Sequence, residues 1–194
     1  MENAIEKATN VLREGGIVIF PTDTAFGIGC RIDDERAVKR LFAIRRRPET
    51  WATPVLISHA HMAKKYVLPI PQRVEKILIE RYWPGALTIV LPCKTEQVPE
   101  LVRGGGKTLG IRMPNHPVTL DIIKNLGIPI LGPSANIHGE KTPYMYEDLD
   151  PDLVSLVDFV LPGACIMKKA STVIDCSVEP WNILREGAVE INVA

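Results

Sequence analysis

Gly15-Gly16-Ile17-Val18-Ile19-Phe20-Pro21-Thr22-Asp23-Thr24 sets a short, wholly apolar run between a glycine pair and a proline, with three hydrogen-bonding side chains at its exit. Apolar residues in succession, without alternation, mark a strand buried on both faces. Proline cannot continue a ladder, so the chain leaves the sheet at Pro21. Ligand sites in α/β proteins are built where buried strands open into loops. Thr22, Asp23 and Thr24 stand at such a place and offer two hydroxyls and a carboxylate to an ammonium, a hydroxyl or a metal-bound phosphate. The same trio also suits a turn in which Asp caps backbone amides.

Upstream, Ala4, Ile5, Ala8, Val11 and Leu12 recur at helical spacing, and Gly15-Gly16 stop that helix. Downstream, Asp33 or Asp34 can cap a helix with Ala37, Val38, Leu41 and Phe42 on its apolar stripe. Pro48 should close it near Arg46. Strands are expected over 54–57, 87–91, 108–112 and 128–131, and helices over 59–66, 71–82 and 117–126. Pro71 and Pro117 suit first helical turns. Residues 93–106 and 132–143 read as loops, and the tail holds further strand candidates over 157–161, 171–176, 182–185 and 188–193. Strands and helices interleave without a clean βαβ rhythm. That predicts an α/β chain of the α+β type: a twisted, mixed sheet flanked by helices, in a single domain over 4–190.

At 194 residues, 46% apolar and 24% charged, the chain has the make-up of a soluble globular protein. Its formal net charge of zero excludes a general attraction to nucleic acid or anionic membrane, so any such contact needs a local basic patch. Cys30, Cys93, Cys165 and Cys176 are scattered without C-x-x-C spacing and read as buried thiols of a reducing compartment. No signal-like leader and no apolar run near ~20 residues is present, so a cytoplasmic location without a membrane partner is expected.

Gly106-Lys107-Thr108 resembles the end of a P-loop, but the glycine required five residues earlier is Leu101, and a strand follows instead of a helix. Gly104 to Gly106 are instead expected to form a mobile hairpin or lid. Arg45, Arg46 and Arg47 make either a solvated basic face or a phosphate clamp, since guanidinium groups bind phosphate oxygens bidentately. In an extended segment Arg45 and Arg47 would share a side, and with Arg40 the cluster could touch RNA backbone. Ser134 and Asn136 in Gly132-Pro133-Ser134-Ala135-Asn136 likewise share a side, and with Arg112 and Arg185 at strand ends they could bind an anion. His59, His61, His116 and His138 fit no triad or metal-ligand pattern, and no nucleophile elbow occurs. Cations and hydroxyls at strand ends suit phosphate-ester chemistry, where positioning and charge stabilisation do most of the catalysis.

In order and spacing, Pro21-Thr-Asp-Thr-Ala-Phe-Gly-Ile-Gly29, Arg45-x-Arg47-Pro48, Pro84-Gly-Ala-Leu-Thr88, Gly110-Ile-Arg112, Gly132-Pro-Ser-Ala-Asn136, Ser171-Thr-Val-Ile-Asp175 and Ile183-Leu-Arg-Glu-Gly187 resemble the YrdC-like family. The resemblance runs from about residue 4 to residue 190. The central members of that family are threonylcarbamoyl-AMP synthases, which use L-threonine, bicarbonate or CO2, and ATP in the tRNA threonylcarbamoyladenosine (t6A) modification. The length resembles the short members without the extra C-terminal domain. The resemblance implies a nucleotidyltransferase with a concave basic cavity and ATP as substrate with Mg2+, without a bound prosthetic group or a protein metal site. It implies Arg45 and Arg47 as catalytic residues. Arg47, Thr108, Ser134, Asn136, Thr142 and Arg185 would hold ATP, and Thr24, Arg112, the Gly132 backbone and Ser171 would hold threonine. Implied partners are tRNA or double-stranded RNA and the downstream tRNA threonylcarbamoyl-transfer proteins. Two positions depart from the family pattern, which has Lys at Arg45 and Tyr at Phe26. The alternatives are a paralogue that binds double-stranded RNA or nucleotide without this turnover, and a relative acting on carbamoyl phosphate.

Overall fold

The computed structural model describes residues 2–192. Helix α1 (Glu2–Arg13) leads into β1 (Val18–Phe20), which pairs antiparallel with β2 (Gly27–Gly29). Helix α2 (Glu35–Ile44) starts at Asp34, whose carboxylate accepts the amide protons of Arg36 and Ala37 at 3.0 Å. After β3 (Val55–Leu56) and α3 (Ala60–Ala63), the helical stretch expected over 71–82 is divided. It comprises α4 (Gln72–Val74), a π-helical segment Glu75–Ile79 and α5 (Glu80–Tyr82). Strands β4 (Leu87–Pro92) and β5 (Thr108–Arg112), helix α6 (Pro117–Leu126), β6 (Ile130–Leu131), α7 (Pro151–Ser155), β7 (Phe159–Val160), β8 (Thr172–Asp175) and β9 (Asn182–Arg185) complete it.

The mixed α/β class is as expected, but the strands divide into two ladders: β2-β1-β7, and β6-β3-β5-β4-β8-β9. Parallel pairs β1/β7, β3/β5 and β4/β8 alternate with antiparallel ones. The two ladders are stitched where residues 27–32 run beside 129–135. Ile28 donates to Pro133 O at 3.0 Å, Leu131 to Cys30 O at 2.9 Å and Ile32 to Pro129 O at 3.1 Å. Helices α1 and α6 cover one face through Ala8, Leu12, Ile122, Ile123 and Leu126, packed on Val18, Phe20, Leu56 and Ile130. The larger core lies on the other side, around Ile19, Phe26, Leu41, Val55, Ile89 and Ile111.

Several expected elements changed. Residues 188–192 form no strand, and Val193 of that expected strand lies outside the described residues. The helix expected over 59–66 is only Ala60–Ala63. Strand β2 was missed because glycines are poor strand formers. Here they are required: a Cβ on Gly29 would fall 2.2 Å from Leu131 O, and one on Gly27 2.8 Å from the Phe20 ring. All four cysteines are free and buried. Burial pushes the Cys30 thiol well above its ordinary range and the Cys176 thiol up to about 12, which leaves both unreactive. No helix among the described residues is long and apolar enough to cross a membrane.

Candidate active site

Strand β1 delivers Thr22, Asp23 and Thr24 into a tight turn. Thr22 Oγ1 donates to Ala25 O at 2.6 Å and accepts from the amides of Thr24 and Ala25 at 3.2 Å. Strand β5, central in the large sheet, ends at Arg112 and points it at this turn. Its Nε donates to Gly85 O at 2.9 Å, Nη1 to Thr24 Oγ1 at 2.7 Å, and Nη2 to Asp23 Oδ1. Arg112 and Asp23 are both buried, at 6% and 4% exposure. A guanidinium has five N–H groups, so one on each terminal nitrogen remains, the arrangement that receives a carboxylate end-on. Ser171, just before β8, shares a hydrogen bond with Thr88 Oγ1 at 2.9 Å and accepts from Arg185 Nη2 at 3.0 Å.

The second group of cations comes from the end of α2. Arg46 takes a left-handed conformation, with φ of 49°, where glycine is usual. The Arg46 amide donates to Ala43 O at 3.0 Å and the Arg47 amide to Phe42 O at 2.9 Å, which closes the helix in a Schellman turn. The reversal, instead of an extended segment, brings Arg45 and Arg47 to one cavity and leaves Arg46 outside. Arg45 is 2% exposed; its Nε donates to Asn136 O at 2.9 Å, and its Nη1 has no partner. Arg47 donates from Nε to Trp51 O at 3.2 Å and from Nη2 to Ala52 O, with Nη1 3.5 Å from His138 Nδ1.

Of the ion pairs among the described residues, Arg112–Asp23 is the one that reaches this cavity. Burial pulls Arg45 down to about 10, and Arg47 beside it pulls the same way. Burial also lowers Arg47 and Arg185, and it lowers Arg112 against the opposing pull of Asp23. Cations held in a partly dry hollow without carboxylates are electrostatically costly until an anion arrives.

The cavity brings together Thr24, Arg45, Arg47, Arg112, Gly132, Ser134, Thr142, Ser171 and Arg185, with Arg185 donating to Ser171 from Nε to its carbonyl at 2.9 Å and from Nη2 to its hydroxyl at 3.0 Å. A Cβ on Gly132 would lie 2.3 Å from Leu56 Cγ, so only glycine lets this backbone close over Leu56. Two expected residues do not line it. Thr108 begins β5, the opposite end from Arg112, roughly 13 Å away along the strand. The Asn136 amide nitrogen is spent on Ile137 O and Glu140 O at 2.8 and 2.9 Å, and its main contribution is the carbonyl that fixes Arg45. Gly104 to Gly106 are not among the residues that line the cavity; Gly104 packs against the backbone of Thr50 and Ala52. Arg40 is turned away, paired with Asp158 at 2.6 Å. Thr88 lines the cavity and had been given no role. Its signal was a lone hydroxyl within Leu87-Thr88-Ile89-Val90-Leu91, an otherwise apolar buried strand.

A profile of the Sua5/YciO/YrdC family, described as "Telomere recombination", matches residues 10–187. The threonylcarbamoyl-AMP synthase of Bacillus subtilis (strain 168) is 35% identical over 189 residues, 95% of this chain and 54% of that protein. The structure of Pyrococcus abyssi Sua5 complexed with L-threonine superposes with a TM-score of 0.90 at 36% identity, covering 94% of this chain and 54% of that one. Escherichia coli YciO superposes with a TM-score of 0.89 at 26% identity, over 100% of this chain and 93% of that one. The chain therefore spans about half the length of the first two proteins and nearly all of the third.

Proposed function

The chain belongs to the Sua5/YciO/YrdC family, and on that footing we propose that it joins L-threonine, bicarbonate or CO2, and ATP into threonylcarbamoyl-AMP, with release of pyrophosphate. The observation that carries the proposal is a single cavity lined by Arg45, Arg47 and Arg185, none of them in an ion pair among the described residues, together with an Arg112 that has an end-on fork to spare. The first three suit a polyphosphate, and the fourth suits the carboxylate of an amino acid. The relative solved with L-threonine and the synthases among the sequence relatives support the same substrates.

Threonine's amine adds to CO2 and loses a proton, giving a carbamate. A carbamate oxygen attacks the α-phosphorus of ATP, the bond to the bridging oxygen breaks, and pyrophosphate leaves. No protein nucleophile takes part. Arg112, with Thr24 and Ser171, would fix the amino acid, while Arg45, Arg47, Arg185, Ser134 and Thr142 would hold the phosphates and offset the charge that builds in the transition state. The hollow measures about 170 Å3. That is below the roughly 300–1,000 Å3 of sites enclosing a whole drug-sized ligand. It can enclose threonine and the reacting phosphate, with base and ribose reaching its open mouth. Mg2+ would enter with ATP, since it commonly binds through substrate phosphates with few protein ligands. We place the reaction in the cytoplasm, with the product passed to proteins that modify tRNA. Purified protein is expected to release pyrophosphate only when threonine, bicarbonate and MgATP are all present, and no release from the complete mixture would overturn the proposal.

A further inference from the structure

The three-glycine segment lies outside the cavity, and its Gly104 packs on residues 50–52, two of whose carbonyls accept from the Arg47 side chain. Gly104 has φ of 58°, and a Cβ added there would fall 2.6 Å from the Ala52 amide nitrogen and 2.7 Å from Thr50 O. Both neighbours are backbone, so no flexible side chain can move aside. The Thr53 amide donates to Val102 O at 2.9 Å, a second tie between the same two segments. The loop is internally closed. The Gly105 and Gly106 amides donate to Glu100 O and Arg103 O at 3.1 and 3.0 Å. The Arg103 side chain donates to Val98 O at 3.3 Å and to Gly106 O. From the other direction, Trp51 O and Ala52 O receive Nε and Nη2 of Arg47. The backbone of 50–52 is therefore held between the glycine loop and the guanidinium.

We infer that the glycine loop is the seat that sets where Arg47 stands, and that Gly104 is a positioning residue acting through the 50–52 backbone without touching substrate. The inference rests on the reading of Arg47 as a phosphate-holding group. An arginine bonded to two successive carbonyls moves with them, so a displacement of the turn is a displacement of the guanidinium. Misplacement of a binding group by about 1 Å can cost on the order of a hundredfold in a reaction that depends on positioning. The residue beside it provides the control. Gly105 also has positive φ, 77°, but a Cβ there would find only Glu100 Oε1, at 3.9 Å. Alanine at either position carries the strain of a left-handed conformation, and only at 104 does it also push the turn.

The test compares Gly104→Ala with Gly105→Ala by calorimetric titration with inorganic pyrophosphate, and separately with L-threonine. Gly104→Ala should weaken pyrophosphate binding about tenfold or more and leave threonine within about twofold, while Gly105→Ala should stay within about twofold for both. Equal weakening by the two alanines overturns the inference, and so does a Gly104→Ala protein that loses threonine as much as pyrophosphate. If Gly104→Ala does not fold, Thr53→Pro decides. It removes the N–H that Val102 accepts, and it should weaken pyrophosphate several-fold with threonine unmoved; unchanged pyrophosphate binding overturns the inference. A wild type that binds no pyrophosphate sinks the underlying reading instead, whatever the variants do.

Discussion

Arg112 and Arg45 are both buried guanidinium groups on the wall of one cavity, yet the fold treats their charges in opposite ways. Arg112 is matched by Asp23, Thr24 Oγ1 and Gly85 O. Arg45 has one carbonyl, an Nη1 with no partner, and Arg47 as its neighbour. One side of the cavity is thus complete before substrate arrives, with a neutral pair that presents a fork. The other is left short of negative charge. A site that must hold a zwitterionic amino acid beside a polyanion needs both conditions, since only the second side gains strongly from phosphate.

The sharpest way to break the contrast is to remove the counter-charge from the complete side. Asp23→Ala leaves Arg112 buried and unpaired, and removal of one partner of a buried ion pair costs about 3–5 kcal/mol. Urea unfolding should show a loss of that order. A loss under about 1 kcal/mol would mean that Asp23 does not balance Arg112, and the two sides would cease to differ.

How far this contrast could be read from the chain depends on what each part required. The exits of β1 and β5 were legible, because apolar residues bounded by proline or arginine report buried strands ending at a loop, whereas β9 was legible as a strand although all four of its residues are exposed. The match of Asp23 to Arg112 was not, because it spans 89 positions and depends on β5 taking the centre of the sheet. Arg45 and Arg47 were expected to share a side in an extended segment; they line one cavity instead through a reversal at Arg46, which takes a conformation arginine seldom adopts. The glycines at 104–106 were expected to form a mobile hairpin or lid because glycine runs suggest mobility; a second reason for glycine, close contact with a neighbouring backbone at Gly104, could not be read from the run itself. Thr108 was assigned by motif position alone, and the strand carries it away from the cavity.

The unbalanced side predicts the next largest effect. An anion that binds the folded state alone stabilises it by about 2.7 kcal/mol at a hundred times its dissociation constant. Pyrophosphate should therefore raise the melting temperature in a dose-dependent way, and the gain should shrink as salt screens the cations. L-Threonine at the same multiple of its own constant gives a similar shift, but one much less sensitive to salt. Equal salt dependence for both ligands would erase the distinction between the two sides.

The smallest effect is the most specific. Arg45→Met removes a buried cation that has no carboxylate and keeps an unbranched chain of similar length. The cost is the Nε bond to Asn136 O, so the unliganded variant should come out more stable by only about 1 kcal/mol, while losing most of the pyrophosphate-induced gain. The pH dependence follows from the lowered Arg45 value of about 10 against an ordinary 12.5. Below 10 the group is protonated whether the chain is folded or not, so the penalty on the folded wild type is constant. Between those values the unfolded chain binds more proton than the folded one, and stability conferred at this position rises with pH. The advantage of Arg45→Met over wild type should thus stay level from pH 7 to about 9 and narrow as pH climbs through 10. Denaturant midpoints for the two proteins, taken side by side across that range, test it. A gap that widens in alkali would mean that Arg45 is balanced by a charge after all, and the two guanidinium groups would then be alike.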